Sequence, residues 1–390
     1  MHDYIPYGCQ DINQKDIDKV VSVLKSEFIT QGPITPQFEK AVTRYTKSKF
    51  AVATNSATSA LHIACLALNL KEGDILWTSP ISFVASANCA RYCGAEIDFV
   101  DIDSNTFNIS IEALKNKLSE AESKGKLPKI VIPVHLGGSP CEMKEIYMLS
   151  KKYGFKIIED ASHAIGTKFE NLIVGDCHYS DITVFSFHPV KIITSGEGGM
   201  ACTNKSDLAS SMIRLRAHGI VKQEKDIIEK SHGPWYYEQV DLGFNYRLTD
   251  IHAALGLSQL SRIDTFVSKR NKLAKKYDRE LGNLPIKKQV LLSSSYSSYH
   301  LYIIRIKEEG GKQNHLEIFK GLRRKNIGVN IHYIPIYMHP YYKHLGFKLG
   351  HCPEAEKYYS EAISLPIFSS ISSENQNYVI NSLRQLILKN

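Results

Sequence analysis

Ile157-Ile158-Glu159-Asp160-Ala161-Ser162-His163-Ala164 is an apolar run that ends on two acids and continues into small residues. The run predicts a buried strand over 155–159. An acid at the carboxyl end of a core strand points into the crevice where α/β proteins bind ligands. Asp160 placed there suits a protonated ring nitrogen of a cofactor; a helix-capping Asp is the other reading. Similar short apolar runs lie on both sides, at 50–54, 75–78, 97–100, 130–134 and 181–186. Helical stretches such as 142–153 separate several of them, and Ile17, Val20, Val21 and Leu24 recur at helical spacing ahead of them. Short apolar strands alternating with helices predict an α/β fold with a mostly parallel sheet covered on both faces.

A long amphipathic helix is predicted around 249–268, and beyond it the texture changes. A polar turn at 293–298 leads to an alternating strand at 299–306. A helix near 316–325, a strand near 328–333 and a terminal helix near 374–388 follow. This reads as a smaller α+β domain, so the expected division is a large domain over 1–260 and a small C-terminal domain over 261–390. No internal repeat or low-complexity tract interrupts either part.

Composition narrows the function classes. With 390 residues, 43% apolar and 23% charged, the chain is too apolar for a disordered one and long enough to bury a core without disulfide staples. No run approaches the roughly 18 apolar residues of a membrane span. The first 14 residues carry Asp3 and Asp11 and no apolar stretch, so no cleaved signal peptide is expected. Lys plus Arg is 48 against 40 for Asp plus Glu, a net charge of +8. The basic residues are scattered, which reads as solvated surface and not as a nucleic-acid footprint. The eight cysteines form no CxxC pair, so no metal centre is expected and a reducing cytoplasm is the natural compartment.

Neither G-x-G-x-x-G nor G-x-x-x-x-G-K-[ST] is present. Two other segments join Asp160. In Thr54-Asn55-Ser56-Ala57-Thr58-Ser59-Ala60-Leu61 a strand ends in small polar residues and a helix begins, which suits a phosphate dianion; an ordinary N-cap is the alternative. In Phe185-Ser186-Phe187-His188-Pro189-Val190-Lys191 a strand delivers Ser186, and Lys191 follows just before the Gly196-Glu197-Gly198-Gly199 turn. A lone lysine on a loop is by default surface charge, but a lysine in a partly dry site becomes an amine nucleophile for carbonyls. Phosphate cup, ring-nitrogen carboxylate and carbonyl-binding lysine together are what pyridoxal phosphate needs.

These motifs resemble the DegT/DnrJ/EryC1/StrS family of sugar aminotransferases, over nearly the whole chain from Tyr7 and Thr30-Gln31-Gly32-Pro33 to His332-Tyr333-Ile334-Pro335. The resemblance implies an aspartate-aminotransferase-like fold (fold type I), pyridoxal 5'-phosphate as cofactor, and a homodimer with shared active sites. Position by position it implies that Lys191 is the catalytic, cofactor-bearing lysine and Asp160 pairs with the pyridine nitrogen. Ala57 (by its backbone), Thr58 and Ser186 would hold the phosphate. Phe83 would stack on the ring, with a plain core Phe as the alternative. His163 would lie beside the phenolic oxygen, and Asn245 would serve the phosphate of the neighbouring subunit. Tyr7, Glu27, Thr30, His332, Tyr333 and Tyr337 match positions near the nucleotide-sugar site, with ordinary packing as the alternative for each; Ser56, where the family's cup commonly has Gly, would face substrate. His218-Gly219 and Trp235-Tyr236-Tyr237 match a segment at the cleft mouth and subunit interface. The segments 55–61, 79–85, 243–247 and 254–260 are similar to members that aminate a UDP-linked 4-keto sugar in pseudaminic acid synthesis. The implied reaction is glutamate-driven amination at C4 of UDP-2-acetamido-2,6-dideoxy-β-L-arabino-hexos-4-ulose, with dTDP- or GDP-linked 4-keto-6-deoxy sugars as the alternative.

Overall fold

The computed structural model describes residues 3–306 and 315–389. A seven-stranded sheet forms its centre, in the order Phe50–Thr54, Gly199–Thr203, Ile182–Ser186, Lys156–Asp160, Ile130–Ile132, Ile75–Thr78, Glu96–Phe99. Only Gly199–Thr203 runs antiparallel to its neighbours; the other pairings are parallel. The adjacent strands Lys156–Asp160, Ile182–Ser186 and Gly199–Thr203 are almost wholly buried, as a sheet covered on both faces requires. On one face lies the Ala57–Ala67 helix, apolar nearly all round and sealed beneath Ala85–Tyr92 and Ser206–Leu215. Its Leu61, Ile63 and Ala64 are fully buried, and a side chain such as Leu61 contributes about 1.5–3 kcal/mol by leaving water. The other face is covered in part by Phe38, Val42, Phe185 and Phe187 in one cluster.

The chain's last third builds a three-stranded antiparallel sheet, Ile286–Lys288, Tyr302–Ile306 and Ala362–Leu365. His315–Arg324 and Ser373–Lys389 pack together beside it, over a core that also takes in Ile5. The helix foreseen around 249–268 is two helices, Asp250–Leu260 and Ile263–Glu280. They break at Ser261 and Arg262, where the Arg262 guanidinium turns to the carboxylates of Asp11 and Asp16. Ile263–Glu280 is shared by two cores: Ile263, Phe266 and Val267 belong with the large sheet, Ala274 and Tyr277 with the small one. A dividing line at 260 falls just ahead of this shared helix. The expected strand at 328–333 does not form; a single bridge, Asn330 to Ser364, stands in its place.

The Gln14–Leu24 helix buries Val23 and, beside it, a carboxylate. Its buried face carries Asp16, wholly enclosed by Ser258 Oγ (2.6 Å), Gln259 Nε2 (2.7 Å) and Arg262 Nη2 (2.5 Å). Its apolar residues Ile17, Val21 and Leu24 are exposed, and Phe28 and Ile29 continue the uncovered patch.

Candidate active site

Because one strand runs against the rest, the carboxyl ends of Phe50–Thr54, Lys156–Asp160 and Ile182–Ser186 and the amino end of Gly199–Thr203 share one edge of the sheet. The expected site residues gather along that edge. Ser56 caps the Ala57–Ala67 helix: its hydroxyl accepts the Ser59 N–H at 3.1 Å, and its carbonyl accepts the Ala60 N–H at 3.1 Å. That leaves the Ala57 and Thr58 N–H groups for an outside acceptor, at the positive end of the helix dipole. Thr54, Gly199 and Ser186 lie in register across three adjacent strands, which brings Ser186 to the same rim. Gly199 is required there. A Cβ on it would stand 2.4 Å from Ser56 O and 2.5 Å from Ala57 N. The Ser186 hydroxyl accepts the His188 N–H at 3.5 Å and keeps its own proton to donate. Two backbone N–H groups and a hydroxyl make an anion cup.

Asp160 ends its strand buried. Its Oδ2 accepts the Ser86 hydroxyl at 2.6 Å and its Oδ1 the Ser162 N–H at 3.1 Å. Ser86 in turn meets Ser82 Oγ at 2.6 Å, so the Ala85–Tyr92 helix and the turn before it aim the carboxylate. Lys191 follows the turn at Pro189 and Val190, with its N–H on His188 O at 2.9 Å. Residues 187–198 fold back as a pinned loop, the N–H groups of Phe187 and Ser195 bonding to Gly198 O and Phe187 O. Burial lowers the Lys191 amine to about 8, and the charge of Asp160 works in the other direction. An amine that titrates near neutrality serves both as nucleophile and as proton carrier.

His163 accepts the Gly137 N–H on Nδ1 at 3.2 Å, and its Nε2 meets the Tyr333 hydroxyl at 3.1 Å. A ring nitrogen that accepts cannot carry the proton, so this network assigns His163 as neutral with its proton on Nε2. Burial, Lys191 and His332 hold its pKa well below the ordinary value, in agreement. His332, also buried, meets Ser364 Oγ at 2.8 Å and lies 5.1 Å from the Tyr7 ring. Burial and then Lys191 push His332 down to about 3. Phe83 is no core residue. It is 59% exposed, 6.4 Å from the Tyr333 ring, and presents a bare aromatic face at the site.

Other expected residues lie elsewhere. Thr30 and Asn245 line a hollow of about 450 Å³ with Asn55, Glu197, Arg247 and His252. Asn245 is exposed, and its carbonyl takes the Asn55 amide at 3.4 Å. Glu27 is exposed on the patch beyond the first helix. The Ser56 hydroxyl is engaged in capping. Tyr337 is buried against Phe99, and its hydroxyl donates to Glu356 at 2.6 Å, so it packs the core beneath the site. His218 lines a groove with Arg214 and Lys222, and Trp235 and Tyr237 are exposed. Ser86 and Ser82 were missed. Their i, i+4 spacing is visible in the sequence, but nothing there ties them to a carboxylate 74 residues away.

Among the described residues no cluster of His, Cys, Asp and Glu could hold a metal ion, and no helix is long and apolar enough to cross a membrane. The model of the DegT/DnrJ/EryC1/StrS aminotransferase family matches residues 10–384. A UDP-4-amino-4,6-dideoxy-N-acetyl-β-L-altrosamine transaminase of Campylobacter jejuni is 37% identical over 388 residues, 99% of this chain and 98% of its own. Among solved structures, Helicobacter pylori PseC, an aminotransferase involved in pseudaminic acid biosynthesis, aligns with a TM-score of 0.89 at 31% identity, over 99% of this chain and 100% of its own. Spr1654 of Streptococcus pneumoniae in its PLP form aligns with a TM-score of 0.89 at 28% identity, over 99% of both chains.

Proposed function

This chain belongs to the DegT/DnrJ/EryC1/StrS aminotransferase family and is a pyridoxal-phosphate-dependent sugar aminotransferase; from that premise we propose that it moves the amino group of L-glutamate to C4 of UDP-2-acetamido-2,6-dideoxy-β-L-arabino-hexos-4-ulose. The product is then UDP-4-amino-4,6-dideoxy-N-acetyl-β-L-altrosamine, in pseudaminic acid synthesis. The observation that carries the substrate is the full-length likeness to the Campylobacter enzyme that bears that product's name.

The residues present fit the cofactor. The cup of Ala57 N–H, Thr58 N–H and Ser186 hydroxyl, which a side chain at 199 would fill, suits its phosphate. The buried Asp160 suits a protonated ring nitrogen, Phe83 offers an uncovered face for the ring, and the His163 Nε2–H suits the phenolic oxygen. When bound, pyridoxal phosphate supplies an electron-withdrawing ring that absorbs the electrons released as a proton leaves the amino-bearing carbon. The chain's own residues do the rest. Asp160, held by Ser86 and Ser162, keeps the ring nitrogen protonated. Lys191 Nζ, with its pKa drawn down to about 8, takes the proton from glutamate Cα and returns one to sugar C4. The face it reaches sets the configuration at C4. Tyr7, His332 and Tyr333 wall the side on which the sugar would lie.

The working unit we propose is a homodimer in the cytoplasm. What supports the dimer is the uncovered apolar patch of Ile17, Val21, Leu24, Phe28 and Ile29, together with Asn245 turned outward. Eight unpaired cysteines, six of them buried, suit a reducing compartment. Lys191→Ala and Asn245→Ala chains, each weak alone, are expected to rescue one another in mixed dimers; demonstrated heterodimers without rescue would refute shared sites. The substrate test is a panel of UDP-, dTDP- and GDP-4-keto-6-deoxy sugars with glutamate. The UDP-L-sugar is expected to give the highest kcat/KM. Another sugar preferred by tenfold, about 1.4 kcal/mol of transition-state binding, would overturn the assignment.

A further inference from the structure

A second imidazole lies against His163. His300 is 3% exposed, its ring centroid is 4.4 Å from that of His163 with the planes at 46°, and its Nδ1 is buried with no hydrogen-bond partner. The segment that carries it is fixed from two sides. Ser298 Oγ donates to His163 O at 2.8 Å and also meets the Thr167 hydroxyl. Arg270, itself 2% exposed, donates to Tyr299 O at 3.1 Å, His300 O at 3.3 Å and Ile367 O at 2.9 Å. The guanidinium is thus seated on backbone carbonyls, and its charge lies beside His300.

We propose that His300 is a positioning residue for amino transfer: its ring walls off His163, keeping that imidazole neutral with its proton on Nε2, free to donate to the cofactor's phenolic oxygen in place of the Tyr333 hydroxyl. The inference rests on the reading that His163 meets the cofactor's phenolic oxygen. Protonating His163 requires a proton on Nδ1, which would break the bond from the Gly137 N–H. It would also place a cation among Lys191, His332 and His300, with Arg270 close behind; Asp160 is the acid of this site. The His300 ring packs against the His163 ring and is itself buried, so that side of His163 is closed to water. Removing the ring leaves a space beside the His163 imidazole, a polar partner for an entering water. With water admitted, His163 takes up its proton at higher pH.

The test is the histidine 15N spectrum of the holoenzyme, with the His163 signal identified by its loss in His163→Gln. In the native protein His163 is expected to keep an unprotonated Nδ1 and not to titrate between about pH 5 and 8. In His300→Ala, and in His300→Asn as a second ring-less variant, it is expected to titrate within that window. The acid limb of kcat should move with it while the glutamate KM holds. His300→Phe, which retains the wall, should restore the native titration. Ring-less variants in which His163 behaves as in the native protein overturn the inference, and so does His300→Phe with the full shift. The reading of His163 at the cofactor fails separately, if His163→Gln leaves the cofactor's absorbance band unmoved.

Discussion

Ser86→Ala deletes one hydroxyl from the helix above the sheet and is expected to slow amino transfer. The hydroxyl is 2.6 Å from Asp160 Oδ2, and both residues are buried. Of the two hydrogen bonds that the protein gives the carboxylate, the Ser162 N–H, at 3.1 Å on Oδ1, would remain. A hydrogen bond to a charged group is worth roughly 1.5–3 kcal/mol, and its loss bounds the effect at about 10- to 150-fold. The carboxylate can swing towards the ring nitrogen and recover part of this, so the expected fall in kcat/KM for the glutamate half-reaction is on the order of tenfold. Ser82→Ala removes only the next link, 2.6 Å from Ser86, and should cost about threefold or less. The assay is the stopped-flow absorbance change on mixing the cofactor-loaded enzyme with glutamate. A double-mutant cycle with Asp160→Asn isolates the pair: Ser86→Ala should cost much less once the charge it serves is gone. A fall of less than twofold, or equal costs in both backgrounds, would refute the argument that Ser86 acts through Asp160.

Other expectations concern folding and the cup. In the cofactor-free protein Lys191→Met should be more stable than the native chain at pH 7. The folded-state pKa of about 8 lies below the ordinary 10.5, so the unfolded chain holds more protons between them and native stability rises with pH over that window. The gap is about 3 kcal/mol at most, present below pH 8 and gone above about 10.5; denaturation across pH that shows no such convergence would contradict it. Gly199→Ala drives a methyl into Ser56 O and Ala57 N and should weaken cofactor binding about tenfold while the fold survives, as equilibrium dialysis and circular dichroism would show. Asp16→Ala leaves Arg262 and Gln259 facing an emptied buried site and should cost about 3 kcal/mol in urea denaturation; a loss under 1 kcal/mol would mean water takes the carboxylate's place.

The segments around Asp160, Ser186 and Lys191 were legible because strand-end chemistry is local: a short apolar run, then an acid, a hydroxyl or a lysine before glycines. What crosses the chain was not. Gly199–Thr203 gave no separate strand signal, because a wholly buried strand opening on a Gly-rich turn reads as part of the turn. The cup depends on that strand, since Gly199 sets Ser186 beside Ala57. The break at Ser261 and Arg262 was hidden in a continuous helical pattern. It follows from ion pairs to Asp11 and Asp16, some 250 residues earlier. The spacing of Ile17, Val21 and Leu24 announced a helix but not that these three would face outward while Val23 and a satisfied Asp16 face in. The state of His163 was open in the sequence, and the Gly137 N–H, 26 residues upstream, decides it. Tyr337 looked like its neighbours Tyr333 and His332; one turn further on, its ring is buried and its hydroxyl meets Glu356.

The central claim is that the amine of Lys191, at the edge shared by Asp160 and Ser186, carries the cofactor. Its most direct test is borohydride reduction of the cofactor-loaded protein, which fixes the cofactor's carbonyl carbon to the amine it is bonded to, followed by peptide mapping. One labelled peptide, containing Lys191, is expected, and it should disappear when glutamate is added before reduction. Label on any other lysine, or label on Lys191 that glutamate does not remove, would contradict it.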